Sequence, residues 1–215
     1  MENSKVDFKI IILGKSGTGK TSYANKWIKN TFSENYKSTI VSEFSSKLYN
    51  YKDRLYNIHL WDIAGQDYHA VAAKIFTKDA FGCITMSDVL EEESLNEALN
   101  WKKFLDENEL FLDKKPMPNM LIQNKIDLIP ENEAQDMTKL ESFSKENKFD
   151  CCFKTSAKTG FNIEKSMDTL IEIIVKRLDE YTSKEVIDLN RKTVAIDPEN
   201  HSEKDKYRTK QAGCC

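Results

Sequence analysis

The sequence predicts an α/β domain: a six-stranded, mostly parallel sheet with one antiparallel edge strand and helices on both faces. Three observations predict it. Short apolar runs of strand length alternate with longer stretches of helical spacing. Residues 8–13 form a near-continuous apolar run, the character of a strand buried on both faces at the centre of a parallel sheet. The chain has 215 residues, 40% of them hydrophobic and 31% charged, enough to bury a full core without disulfides or structural metals.

The same numbers exclude several classes. Mean hydropathy is −0.59 and no long apolar run exists, which argues against a transmembrane helix. The first residues lack the apolar core of a secretory signal. The net charge of −3 implies no large basic face for nucleic acid. None of the five cysteines forms a C-x-x-C pair, so a zinc knuckle is not expected and the thiols are read as reduced.

The elements follow in order. Residues 8–13 read as a strand and 21–30 as a helix. Residues 44–49 and 55–61 read as two strands joined by a turn over 50–54. A short helix is expected near 71–76 and a strand over 81–86. Leu95, Leu99, Trp101 and Leu105 mark a helix. Residues 120–123 form a strand after Pro116 and Pro118. A helix carrying Leu140 and Phe143 follows Pro130, and a short strand spans 151–154. Ile163, Met167, Leu170, Ile171, Ile174 and Leu178 define a strong amphipathic helix. Periodicity fades from Tyr181, so a domain over residues 1–181 and a mobile tail over 182–215 are expected.

Gly14, Lys15, Ser16, Gly17, Thr18, Gly19, Lys20 and Thr21 match G-x-x-x-x-G-K-[ST] between a strand and a helix, the context that gives the motif meaning. Its glycines let backbone N–H groups curl around phosphate oxygens, and the helix N-terminus adds partial positive charge. Lys20 is expected to reach the β- and γ-phosphates, the Thr21 hydroxyl to bind Mg²⁺, and Ser22 to stand beside the phosphates. Asp62 closes a strand and is expected to hold Mg²⁺ through water. Gly65 brings an N–H to the γ-phosphate, and Gln66 can orient a water for in-line attack. Asn124, Lys125 and Asp127 follow the strand over 120–123. A carboxylate at Asp127 can accept both the N1 and N2 donors of guanine and would leave an unpaired charge against adenine. Ser156, Ala157 and Lys158 follow the last strand, and the Ala157 N–H can meet the guanine oxygen.

These four motifs, in order and at strand ends, resemble the small Ras-like GTPases over about residues 8–177, and within that group the chain looks like a Rab GTPase. The Rab-like residues are Trp61 before Asp62, the segment Tyr36, Lys37, Ser38, Thr39 and Ile40, then Phe44, and the terminal pair Cys214 and Cys215. The stretch from Trp101 and Lys102 through Pro116, Met117 and Pro118 to Lys125, with Ile63 where most Rabs carry Thr, resembles the subgroup serving lysosome-related organelles. The resemblance implies a three-layer P-loop GTPase domain that cycles between GDP and GTP with Mg²⁺ as cofactor and hydrolyses GTP slowly. It implies that Phe32 lies against the base, that Thr39 ligates Mg²⁺ and senses the γ-phosphate, and that Phe44, Trp61 and Phe76 form a hydrophobic effector triad. It implies a monomer served by effectors, an exchange factor, an activating protein and a prenyl-delivery chaperone. Two geranylgeranyl groups on Cys214 and Cys215 would hold it on the cytoplasmic face of an intracellular membrane, cycling with the cytosol, since two lipids anchor stably where one does not.

The chain also departs from the Rab pattern. Val41 and Ser42 replace the usual Gly after Ile40, and Asp67, Tyr68 and His69 follow Gln66 in place of Glu-Arg-Phe. Ala70, Ala72 and Ala73 make the second switch small. These changes bear on partners rather than on the nucleotide. Two rival readings stand beside the switch. A P-loop kinase of small metabolites would need a lid and have no use for Asn124 to Asp127. A GTP-locked scaffold fits the altered second switch but has no need of Gln66. Cys83, Cys151 and Cys152 read as buried apolar fillers. His59 and His69 show no catalytic partner, and Glu91, Glu92 and Glu93 read as a solvated helix start.

Overall fold

The computed structural model describes residues 6–35, 39, 42–65 and 70–194. Strand β1 (Val6–Gly14) leads to helix α1 (Lys20–Lys29), then to the hairpin β2 (Ser42–Tyr51) and β3 (Arg54–Ile63). Helix α2 (Ala70–Thr77), β4 (Gly82–Asp88), α3 (Glu92–Asn108) and β5 (Asn119–Asn124) follow. A 3₁₀ turn (Ile126–Leu128), α4 (Glu131–Gln135), α5 (Thr138–Glu146), β6 (Cys151–Lys154) and α6 (Ile163–Val194) complete the order.

The sheet runs β2-β3-β1-β4-β5-β6. Every pairing is parallel except β2 with β3, which makes β2 the antiparallel edge strand. The hairpin turns on Lys52 and Asp53 alone, both in the left-handed region at φ 48° and 61°. Two residues of that conformation match the right-handed twist of the flanking strands.

Alternation along β1 decides the two faces of the sheet. Ile11 and Leu13 pack with Trp101, Phe104 and Leu105 of α3. On the opposite face, α1 and α6 meet where the fully buried Tyr23 hydroxyl lies 2.7 Å from Ser166 Oγ. A Cβ on Gly82 would press into Ile174 of α6, so that glycine marks where helix and sheet come closest. A second apolar cluster joins Ala98, Leu121, Leu140 and Phe149 beneath α3 and α5.

Three expectations need correction. The segment after Pro130 is two short helices rather than one, because the chain breaks at Asp136, whose carboxylate accepts from the Thr138 N–H at 2.9 Å. Cys151 and Cys152 are only partly buried; β6 is the far edge of the sheet, and only Cys83 is fully enclosed. The last helix continues to Val194, so residues 182–194 are helical rather than coil. That stretch contains no Pro or Gly, and the hydroxyls of Thr182 and Ser183 turn back onto the carbonyls of Leu178 and Asp179 at 2.7 Å each. The chain divides into two units, Met1–Arg177 and Leu178–Cys215. Cys214 and Cys215 lie outside the described residues, and among those described no helix is long and apolar enough to cross a membrane.

The Tyr23–Ser166 contact gives a direct test of the α1–α6 packing. Tyr23→Phe keeps the ring and removes one buried hydrogen bond, so it should cost about 1 kcal/mol. Urea unfolding at a fixed nucleotide concentration measures this, and nucleotide affinity should be unchanged.

Candidate nucleotide site

The parallel strands deliver their C-terminal ends to one edge of the sheet, the usual place for a ligand crevice in such folds. The loops leaving that edge surround a cavity of about 700 Å³. Its wall contains Ser16, Gly17, Gly19, Lys20, Thr21 and Ser22 on one side and Phe32, Thr39 and Gly65 on another. Asn124, Lys125, Asp127, Ala157 and Lys158 close the far end.

The loop after β1 owes its shape to its glycines. Gly19 precedes α1 with φ 92°, and a Cβ there would strike the Asn124 amide. No side chain caps α1, so its first N–H groups remain directed at the cavity. A Cβ on Gly65 would collide with the Ser16 N–H and the Lys20 ammonium, so the β3 loop can approach the β1 loop only as glycine. Gly14, Thr18 and Ser156 are not on the cavity wall and support residues that are. The Gly14 carbonyl accepts from Lys20, Thr18 Oγ1 donates to the Lys15 carbonyl at 2.9 Å, and Ser156 supports Asp127.

At the phosphate end, Lys20 Nζ donates to the carbonyls of Gly14 (2.8 Å) and Lys15 (2.9 Å). The Thr21 hydroxyl donates to Asp62 Oδ2 and lies 2.8 Å from Thr39 Oγ1, so the three expected metal-side residues are in direct contact. Burial, partly offset by Asp62, pushes Lys20 down to about 8. Burial, partly offset by Thr21 and Lys20, pushes Asp62 up to about 6. Both groups are therefore shifted toward neutrality. An anion beside Lys20 and a cation beside Asp62 would restore both charges. Asp62 Oδ1 is buried with no hydrogen-bond partner, a vacant hard-oxygen acceptor that fits a Mg²⁺ ion held with Thr21 and Thr39.

At the other end, the buried Asn124 donates from Nδ2 to the Thr18 carbonyl (3.0 Å). Its Oδ1 accepts from Thr155 Oγ1 (3.1 Å) and from the Ala157 N–H (3.2 Å). The Ala157 N–H, expected to face a base oxygen, is thus engaged by Asn124. Ser156 Oγ donates to Asp127 Oδ1 at 2.5 Å, which orients that carboxylate at the cavity rim. Lys125 sits at φ 66° and pairs with Asp88 at 2.7 Å. Phe32 is 38% exposed on the wall, next to an ion pair between Glu34 and Lys158 at 3.2 Å.

Phe44 meets Trp61 edge-on with ring centroids 5.4 Å apart, and Trp61 and Phe76 both pack on the β1–α3 cluster. Phe44 itself is 55% exposed. Gln66 and His69 lie outside the described residues, as do Tyr36, Lys37, Ser38, Ile40 and Val41. Sequence reasoning missed Asn25, Thr31, Glu34, Glu43 and Leu128 on the wall. It also missed the pairing of Lys15, whose ammonium is clamped by Glu91 (2.6 Å) and Glu93 (2.5 Å) at the start of α3. His59 pairs with Asp7 at 2.8 Å on the far side of the sheet, away from the cavity wall.

A strand–loop–helix that presents free N–H groups, a buried lysine and a threonine–carboxylate cluster to one crevice is the site of a P-loop nucleotide-binding protein. The Ras family model matches residues 9–176. The Ras-related protein Rab-32 of Mus musculus is 32% identical over 192 residues, 89% of this chain and 85% of the relative. The human Ras-related protein Rab-7L1 is 33% identical over 174 residues, 80% and 85% of the two chains. Rab-32A of Dictyostelium discoideum is 34% identical over 171 residues, covering 79% and 78%. The chain belongs to the Ras family and is a Rab-type small GTPase, related to Rab-32 and Rab-7L1.

The shift at Asp62 predicts a trade between stability and binding. Folding raises this carboxyl from 3.8 to about 6, so its charge opposes folding fully above about pH 6 and not at all below its unfolded value. In nucleotide-free protein with EDTA, Asp62→Asn should raise Tm by roughly 3–5 °C at pH 7.5. The gain should vanish toward pH 4, and scanning fluorimetry at both pH values measures it. Mg²⁺-dependent nucleotide retention should fall in the same variant.

Proposed function

We propose that the chain binds GDP and GTP, hydrolyses GTP slowly and acts as a membrane-anchored switch that recruits effectors in vesicle trafficking. The observation that carries this reading is the pairing of two ends in one cavity. Lys20, Thr21 and Asp62 stand at one end, and an Asp127 carboxylate pre-oriented by Ser156 stands at the other. A fixed carboxylate acceptor selects a base with two adjacent donors, which guanine has and adenine lacks.

In this reading the N–H groups of the β1–α1 loop bind the phosphate oxygens, and Lys20 leaves its carbonyl partners for the β- and γ-phosphates. Thr21, Asp62 and Thr39 are the residues that would hold Mg²⁺. That ion would supply positive charge to neutralise the charge developing on the phosphate oxygens. Gln66 orients a water, whose oxygen bonds to the γ-phosphorus as the bond to the bridging oxygen breaks. GDP leaves with the electron pair, and the water's proton ends on the released phosphate. No arginine lines the cavity among the described residues, so an activating protein is expected to supply one. Loss of the γ-phosphate frees Thr39 and Gly65, which lets both switches relax. The Phe44, Trp61 and Phe76 surface then presents a different shape to effectors. Anchoring is assigned to prenyl groups on Cys214 and Cys215.

Single-turnover hydrolysis tests the catalytic part. The purified protein should cleave bound GTP slowly and ignore ATP, and Gln66→Leu should abolish cleavage without loss of GTP binding. Tightly held GTP that neither protein cleaves would instead identify a GTP-locked scaffold. ATP cleavage would favour the kinase reading. For anchoring, removal of Cys214 and Cys215 should move the protein from the membrane to the soluble fraction of cells, and unchanged fractionation would refute the assignment.

A further inference from the structure

Glu43 lines the cavity and is exposed, and among the described residues it has no hydrogen-bond or ion-pair partner. In the β2–β3 ladder it stands directly opposite Asp62. Directly opposed residues share a face, with Cβ atoms about 5 Å apart. The next pair along, Phe44 and Trp61, meets on the other face of the sheet, so Glu43 and Asp62 both point to the cavity side. Like charges directly opposite each other destabilise a hairpin.

Here one of the two carboxylates is 2% exposed with an unpartnered Oδ1. Among the described residues the cation beside them is Lys20, which donates to the Gly14 and Lys15 carbonyls. Among the described residues, the corner where Thr21, Thr39, Asp62 and Glu43 converge therefore sets two carboxylates against one cation, Lys20. Protein charge of this sign and placement is what a divalent cation requires.

We propose that Glu43 is a positioning residue for the divalent cation, a second carboxylate that acts on the ion through its charge at longer range than Asp62 and sets how tightly the cation, and with it GDP, is retained. This rests on the reading of the cavity as a Mg²⁺-nucleotide site. One unit charge several ångströms from the ion in partly solvated surroundings changes cation affinity by about threefold to tenfold.

The test uses the full chain loaded with fluorescent GDP, with release followed across buffered free Mg²⁺ from EDTA to millimolar. Glu43→Gln should raise the Mg²⁺ concentration that half-suppresses release by about threefold to tenfold, and Glu43→Lys should raise it further. In EDTA, Glu43→Gln should release GDP no faster than wild type and melt no lower, because it removes a repulsion. Added salt should narrow the difference between Glu43→Gln and wild type. An unchanged midpoint in a Mg²⁺-dependent wild type would overturn the role of Glu43 alone. Faster release in EDTA would overturn it too, as the mark of a structural defect. A wild type whose release ignores Mg²⁺ would overturn the underlying site reading and the proposal together.

Discussion

The side chain of Asn124 joins three separate loops. Its amide donates to the β1–α1 loop at Thr18, and its carbonyl gathers the Thr155 hydroxyl and the Ala157 N–H from the loop after β6. All of this takes place in a site from which water is excluded, where an unmade hydrogen bond costs more than a made one contributes. The arrangement therefore resists partial opening. If the Asn124 amide lost its partner, the loop that carries Lys20 and the loop that carries Ser156 would lose their common reference. Gly19 is part of the same constraint, because only its missing side chain lets the amide reach the loop. The two ends of the cavity are held at a set separation by one residue that need not touch the reacting phosphate at all.

Charge at the phosphate end works against folding. Lys20 and Asp62 are both driven toward neutrality by burial. Neither has a charge-matched environment in the protein alone, and the one vacant buried acceptor among them is Asp62 Oδ1. A site of this kind stores unfavourable electrostatics that a ligand of complementary charge removes. The clamp of Lys15 by Glu91 and Glu93 shows the contrast: an exposed network on the outside of the same loop, satisfied within the protein and screened by water.

Relatedness to Rab-32 and Rab-7L1 over most of the chain places the protein in its family. The P-loop follows the general pattern residue by residue. The segments after Ile40 and after Gln66 depart from the Rab pattern in sequence. Trp61 and Phe76 pack on the β1–α3 cluster, and Phe44 meets Trp61 edge-on.

The order of strands and helices was legible in the sequence because each depends on local periodicity and on turn residues a few positions apart. So were the nucleotide motifs, whose function requires particular residues at fixed spacing at strand ends. The extent of α6 was not, since residues 182–194 lack an apolar stripe yet contain nothing that stops a helix. Only the tertiary structure could show that Ala157 is engaged by Asn124, that Lys15 finds its partners 76 and 78 residues away, and that Glu43 faces Asp62. Those relations depend on strand register and on which loops the sheet brings to one edge. By itself the sequence determined the class of fold and the chemistry it carries. The folded chain decided which charges are balanced and which are left for a ligand, because burial and pairing belong to positions in space rather than to positions along the chain.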